Sequence, residues 1–216
     1  MSLSSHLDAQ SSNGFVMKIN PVDFIYSWNI TDFEVSYFNE MGWISRKYPI
    51  NSSLIIYPSL GLGWGWNNRR YFSDITIGFG FVRGGIDIDL AYGGGAVLKG
   101  PIFSSDLAFR YRFSNVFSLG INLSPLIGNI NMDTEDQYYS TRTGVFAGFY
   151  VGPTITLGNK ASFYFSLNYL FGHLNIKEIT ASSEWDEVID YPQYLDISGI
   201  YFKIGLLIRT KHPHLN

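Results

Sequence analysis

Residues 161–172 read ASFYFSLNYLFG. One face of this segment carries Ala161, Phe163, Phe165, Leu167, Tyr169 and Phe171, and the other carries Ser162, Tyr164, Ser166, Asn168, Leu170 and Gly172. That is the period of two of a β-strand, whose successive side chains point to opposite faces. The reading extends in both directions. Residues 144–157 set Val145, Ala147, Phe149, Val151, Ile155 and Leu157 against Phe146, Gly148, Tyr150, Gly152, Thr154 and Thr156. Residues 102–113 set Phe103, Leu107, Phe109, Tyr111 and Phe113 against Ser104, Asp106, Ala108, Arg110 and Arg112. Residues 54–66 and 199–209 repeat the pattern, and no window carries a helical stripe.

Ten strands are expected, near 14–27, 33–45, 53–66, 70–82, 85–97, 101–113, 115–127, 143–157, 161–174 and 196–209, with eight as the alternative count. Short polar links follow several of them, at 83–85, 114–115 and 158–160. Longer polar loops are expected at 128–142 and 175–195. Short turns at one end and long loops at the other are the anatomy of a membrane β-barrel, and an even strand number puts both termini at the short-turn end. Strands of this length also exceed the usual five or six residues and match a tilted span of a bilayer.

Composition decides which face is wet. Of 216 residues, 46% are hydrophobic and 17% aromatic, but only 15% are charged, against roughly 25% in soluble domains. A soluble sandwich or lipocalin-like barrel alternates too, but turns its apolar face inward and exposes charges. Here the non-apolar face is rich in Gly, Ser, Thr, Asn and Tyr, which suits a crowded interior. The aromatic content excludes a disordered chain. The absence of Cys excludes disulfides, a thiolate nucleophile and Cys-based zinc sites. A formal net charge of -3 argues against nucleic-acid binding. No run approaches 18 apolar residues, so no spanning helix is expected. Residues 1–10, MSLSSHLDAQ, lack the apolar centre of a secretory signal. Residues 1–12 are read as a tail or expression remnant, 13–210 as the barrel and 211–216 as a second tail.

Val16-Met17-Lys18-Ile19-Asn20-Pro21 after Ala9-Gln10, followed by Phe33-Glu34-Val35-Ser36-Tyr37, resembles the start of small bacterial outer-membrane β-barrel proteins of the Bacteroidota type. The stretch from Gly78 to Tyr92 is similar to the periplasmic hairpins of such barrels. The resemblance spans nearly the whole chain and consists of patterns. It implies a closed, antiparallel, up-and-down transmembrane barrel in the bacterial outer membrane, with both termini periplasmic and with outer-membrane lipid and lipopolysaccharide as its surroundings. One departure is the end of the chain: such proteins usually finish on an aromatic residue, whereas this one runs on through Lys211–Asn216.

The presumed inner face carries Glu34, Glu40, Asp74, Asp87, Asp89, Asp106, Arg110, Arg112, Lys203 and Arg209. A hairpin turning near Lys99-Gly100 would set Asp87 opposite Arg112 and Asp89 opposite Arg110. Asp87, Asp89, Asp106, Arg110, Arg112, Lys203 and Arg209 are therefore expected to form a lumen charge network. Its first reading is a structural ion-pair plug, and its second a constriction selecting small solutes. Trp28, Trp43, Trp64, Trp66, Tyr71 and Tyr92 fall near strand ends and are expected to sit at the membrane interfaces. No catalytic residue, metal or cofactor is expected. Asp87-Ile88-Asp89 lacks the Asp-X-His partner of the omptin proteases, and His173 has no Ser two residues away on its own strand. The expected function is a small outer-membrane barrel, either a structural surface protein or a narrow solute pore with a partly plugged lumen. An outer-membrane enzyme acting on lipid or protein, and a soluble lipocalin-like binder, remain as alternatives.

Overall fold

The computed structural model describes residues 12–210, apart from 28–32, 40–41, 49, 69, 89–93, 115, 135–138, 159–160, 182–186 and 192. Of the expected tails, 1–12 and 211–216, Ser12 already pairs with Asn67 as the first residue of β1, and the rest lies outside the described residues. In chain order the strands are β1 (Ser12–Ser27), β2 (Phe33–Asn39), β3 (Gly42–Tyr48), β4 (Ile50–Asn68), β5 (Tyr71–Ile88), β6 (Gly94–Arg112) and β7 (Phe117–Asn129). They continue as β8 (Asn131–Thr134), β9 (Tyr139–Gly158), β10 (Ala161–Ala181), β11 (Glu187–Asp190), β12 (Tyr194–Asp196) and β13 (Gly199–Arg209). Antiparallel pairing runs β1-β4-β5-β6-β7-β9-β10-β13 and closes from β13 back to β1. The fold is a closed up-and-down barrel of eight ring strands. β8 extends the line of β7 along β6, and β12 extends that of β13 along β10.

Eight replaces ten for two physical reasons. Arg83-Gly84-Gly85 and Lys99-Gly100 are not turns: β5 and β6 run straight through them in one unbroken register from Tyr71↔Tyr111 to Ile88↔Gly94. The glycines there serve close approach between strands. A Cβ on Gly84 would lie 2.5 Å from Leu54 O, and one on Gly100 would lie 2.1 Å from Asn129 O. Residues 33–45, in turn, are no single strand. They fold as the β2–β3 hairpin, which Gly42 enters at φ 108°, a left-handed conformation that favours glycine. With β11 this hairpin forms a separate three-stranded sheet in the order β11-β2-β3.

The links at one end are short: 69–70, 113–116 and 159–160, with the start of β1 and the end of β13 beside them. The other end holds the longer connections and the small sheet. The loops expected at 128–142 and 175–195 are largely strand, because β9 begins at Tyr139 and β10 runs to Ala181. At about 3.3 Å per residue, the 21 residues of β10 extend roughly 70 Å, far more than a bilayer requires.

Polarity changes sign along these long strands. From the short-turn end, β5 points Tyr71, Ile75, Ile77, Phe79 and Phe81 outward and exposed, while Phe72, Asp74, Thr76, Gly78 and Gly80 are buried inward. Ten rises of about 3.3 Å from Tyr71 to Phe81, on a strand tilted about 40°, span roughly 25 Å, the height of a lipid-facing band. On β6 and just past its end, Phe103, Phe109 and Phe113 are exposed over the same height. Beyond the band the faces swap. Arg83, Lys99, Asn131, Asn175 and Lys177 are exposed outside, while Val82, Leu98, Met132, Leu174 and Ile176 are buried inside. Within the band the chain has the reverse of the apolar-in pattern that a lipocalin-like barrel requires.

Candidate functional site: an ion-paired layer inside the barrel

The inner faces of β1, β5, β6 and β13 meet in a chain of alternating charge. Arg110 Nη1 donates to Asp74 Oδ2, and Lys18 Nζ lies 2.5 Å from Asp74 Oδ1. Lys18 also lies 3.7 Å from Asp106 Oδ2, which receives Lys203 Nζ at 2.8 Å. Three cations thus alternate with two carboxylates, and every side chain in the chain is at most 8% exposed. Desolvating so many charges is tolerable only because each has an opposite neighbour.

A tyrosine layer caps this chain toward the long-loop end. Tyr150 OH donates to Asp106 and accepts from Lys203 Nζ at 2.7 Å. The Lys203 ammonium lies 5.0 Å from the Tyr150 ring centroid and 5.5 Å from that of Tyr201, so both rings also receive its charge. The Tyr201 hydroxyl meets that of Tyr57 and approaches Asp23 Oδ2 at 3.3 Å. Asp23 accepts from Ser59 Oγ at 2.9 Å, Ser59 accepts from Asn20 Nδ2 at 2.8 Å, and Tyr164 OH donates to Asn20. Further along the axis the lumen is apolar. Ile25, Ile55, Val82, Leu98, Ile102, Leu126, Phe146 and Leu170 belong to one buried cluster there.

The residues expected in the charge network divide as follows. Asp106, Arg110 and Lys203 are in the chain just described. Arg112 faces inward at the short-turn mouth, where its Nη2 lies 3.3 Å from Asn67 Oδ1. Arg209 stacks its guanidinium 3.7 Å above the Phe72 ring. Asp89 lies outside the described residues, as does the side chain of Asp87. The expected cross-strand register is not the one found: continuous β5 pairs Asp87 with Gly95 and places Phe72 opposite Arg110. Glu34 sits on β2, off the barrel wall, and Glu40 lies outside the described residues.

Lys18 and Asp23 are absent from the expected network. Lys18 was within reach of plain alternation, two residues from buried Val16. Asp23 was not. A bulge at Pro21-Val22 shifts the register of β1 against both neighbours, so Asn20 and Asp23, three residues apart, both point inward.

Trp64, Trp66 and Tyr71 share the outer face at the short-turn end, exposed by 37%, 44% and 65%. Trp28, Tyr92 and the Trp43 side chain lie outside the described residues. His173 is exposed outward, directly opposite Asp196, beside a groove of about 410 Å³ that also involves Phe171, Tyr194 and Ser198. Ser198 there donates both its Oγ (2.5 Å) and its N–H (2.9 Å) to Asp196 Oδ1. That motif ties down a break between β12 and β13, and it engages the hydroxyl with the Asp196 carboxylate. Among the described residues no group of three His, Asp or Glu side chains gathers to hold a metal.

No protein-family model matches the chain, and no curated protein matches its sequence. Among solved structures, a weak overlay at TM-score 0.24 and 8% identity, covering 96% of this chain and 92% of the other, is to the toluene transporter TodX of P. putida. The outer membrane protein OprG of Pseudomonas aeruginosa is similar over 95% of this chain and 99% of its own, with TM-score 0.59 and 12% identity. The chain has the fold of that outer-membrane barrel: all-β, antiparallel, up-and-down and closed by a ring of eight strands.

Proposed function

We propose that the chain is a small outer-membrane β-barrel protein with a closed lumen, acting as a structural or surface element of the envelope. The observation that carries this reading is the double seal of the interior. The ion-paired layer from Arg110 to Lys203 and the apolar cluster from Ile25 to Leu170 are both almost wholly buried. An aqueous channel needs wetted side chains along its length, and eight-stranded barrels are ordinarily filled by their own side chains. The apolar outer band supports burial in lipid. Trp64, Trp66 and Tyr71 act as the interfacial girdle of the short-turn side, which with both termini faces the periplasm. The Ala9-Gln10 and Val16–Pro21 patterns support kinship with the short Bacteroidota-type barrels.

A second reading, a narrow pore whose plug rearranges, is favoured by one feature. Arg110 Nε and Nη2 have no hydrogen-bond partner among the described residues, so the layer is not saturated and another arrangement is within reach. Planar-bilayer recording separates the two. The closed barrel gives no unitary conductance steps although its heat-modifiable gel mobility reports a folded barrel, and steady solute-sensitive steps from the unaltered protein would overturn it in favour of the pore. Folding as a soluble monomer without detergent would sink both.

A further inference from the structure

Arg110 uses only one corner of its guanidinium in the ion-paired layer. Its Nη1 donates to Asp74, while Nε and Nη2 have no hydrogen-bond partner among the described residues, although the side chain is 0% exposed. Nε–H and Nη2–H lie on one edge of the planar group and point the same way. That edge is the fork by which an arginine takes two oxygens of one anion. Leaving charged donors buried with no acceptor costs more than leaving neutral ones, so the fork calls for an oxyanion.

The neighbouring wall carries groups that complement such an ion. Arg110 pairs with Gly120 and Gly120 with Thr154; one row nearer the short-turn mouth, Arg112 pairs with Ser118 and Ser118 with Thr156. The Arg110 stem lies over Gly120, where a Cβ would fall 2.8 Å from its Cγ, and the next inward side chain along that row is Thr154. Thr154 and Thr156 are 0% and 1% exposed, and neither hydroxyl has a hydrogen-bond partner among the described residues. One row further in, Asn122 gives its Nδ2 to Ser166 at 2.8 Å and keeps Oδ1 as a buried acceptor without a partner there. Arg112 and Arg209, engaged with Asn67 and Phe72, face the same end of the lumen and raise its positive potential. On β6 the partly exposed Arg112 is the one inward residue between Arg110 and the strand's end, so a small ion reaches the fork from the mouth without crossing the layer. We propose that this end of the lumen binds inorganic phosphate. Two of its oxygens take the Arg110 fork, a third accepts from the threonine hydroxyls, and the P–O–H that phosphate carries near neutral pH donates to Asn122 Oδ1. The site rests on the closed-barrel reading above, in which the bound anion completes the alternation of charge beyond Arg110.

The test is isothermal titration of the full chain, folded in mild detergent, with inorganic phosphate at fixed ionic strength. Wild type is expected to bind phosphate saturably. R110K keeps a cation for Asp74 but loses the fork, and T154V/T156V removes both hydroxyls at nearly constant volume. Each is expected to weaken affinity by roughly tenfold or more. K177Q, which removes an exposed cation from the outer face of β10, is expected to bind as wild type. No saturable binding by folded wild type, undiminished affinity in folded R110K or in T154V/T156V, or an equal loss in K177Q would each overturn the site. Should R110K not fold, the threonine variant decides alone, because it removes hydroxyls that hold no other part of the protein. Chloride or sulfate competing as well as phosphate would overturn the choice of ion, since chloride cannot span the fork and sulfate has no proton for Asn122. Heat-modifiable mobility is read on every sample: a wild type that never forms a barrel defeats the underlying reading, whereas folded barrels that bind no phosphate defeat only this site.

Discussion

Replacing Lys203 by Met tests the ion-paired layer most directly, because the change keeps an unbranched stem of similar length and removes one charge. Lys203 Nζ is 2.8 Å from Asp106 Oδ2 and 2.7 Å from Tyr150 OH, and the residue is 1% exposed. Its loss leaves the Asp106 carboxylate buried with Lys18 at 3.7 Å as its remaining cation. Breaking a buried pair from one side costs roughly 3–5 kcal/mol. The remaining Lys18 contact and the Tyr150 hydrogen bond keep the expected value near the lower end, about 3 kcal/mol. Asp106→Leu is expected to cost a similar amount by stranding Lys203. The double variant removes both charges, and Lys18 retains Asp74 at 2.5 Å. It is therefore expected to recover to within about 1 kcal/mol of wild type.

The assay is urea unfolding of the barrel in lipid vesicles, followed by tryptophan fluorescence, since Trp64 and Trp66 lie on the outer face. The decisive quantity is the coupling from the double-mutant cycle. A cost below about 1 kcal/mol for Lys203→Met, or a double variant as unstable as the two singles combined, would refute the claim that this layer is held by mutual charge compensation.

The remaining predictions probe strand contact, the lipid band and the bulge. Gly120→Ala is expected to destabilise by about 3 kcal/mol or abolish folding, because its Cβ would fall 1.9 Å from Phe109 O, while Gly85→Ala stays within about 0.5 kcal/mol; heat-modifiable mobility after refolding reads both. Ile77→Arg, in the middle of the band at 70% exposure, is expected to cost roughly 2–4 kcal/mol in vesicle-based unfolding, against about zero for Asn175→Arg beyond it. Deleting Pro21 removes the extra residue of β1 and leaves Asn20 and Asp23 two apart, both still inward in a regular strand, so the variant is expected to insert in a vesicle-flotation assay, whereas deleting Pro21 and Val22 together turns Asp23 toward lipid and is expected to abolish insertion.

How far the sequence carried the fold depends on what each residue type reports. Alternation identified the outward set on β4, β6, β9, β10 and β13 because outside and lumen impose opposite chemistry on adjacent positions. It failed at Arg83-Gly84-Gly85 and Lys99-Gly100, where glycine means a hairpin in an open sheet but close strand approach in a tightly coiled ring. The charge network was legible residue by residue for Asp106, Arg110 and Lys203, whose strands run without interruption. Its pairing was not, since pairing follows from register, and one misplaced turn moved Arg110 from an imagined Asp89 to Asp74. Asp23 was invisible to any strict period of two, since the bulge that turns it inward is itself a departure from that period.

The polarity swap beyond the band explains why charge and apolar bulk both occur inside one barrel. In the membrane proposed above, the outside between the short-turn end and Phe81 is hydrocarbon, so hydrophobic burial is satisfied by lipid and contributes nothing to holding the interior together. There the lumen needs directional contacts: Asp74, Asp106 and Asp23 supply them through Lys18, Lys203, Arg110 and the tyrosines. Past Arg83 and Lys99 the outer surface is mixed, with Asn131, Asn175 and Lys177 exposed beside Val97, and the interior is held by the ordinary hydrophobic effect. There Leu98, Met132, Phe146 and Leu174 form a core of the kind found in any soluble domain. Each half is thus stabilised by the interaction its surroundings leave available, and the exchange occurs where Arg83 faces Lys99. A change that extends the apolar outer band past that row, such as R83L/K99L, is therefore expected to leave the ion-paired layer intact, with the Lys203–Asp106 coupling energy in urea unfolding within about 0.5 kcal/mol of wild type.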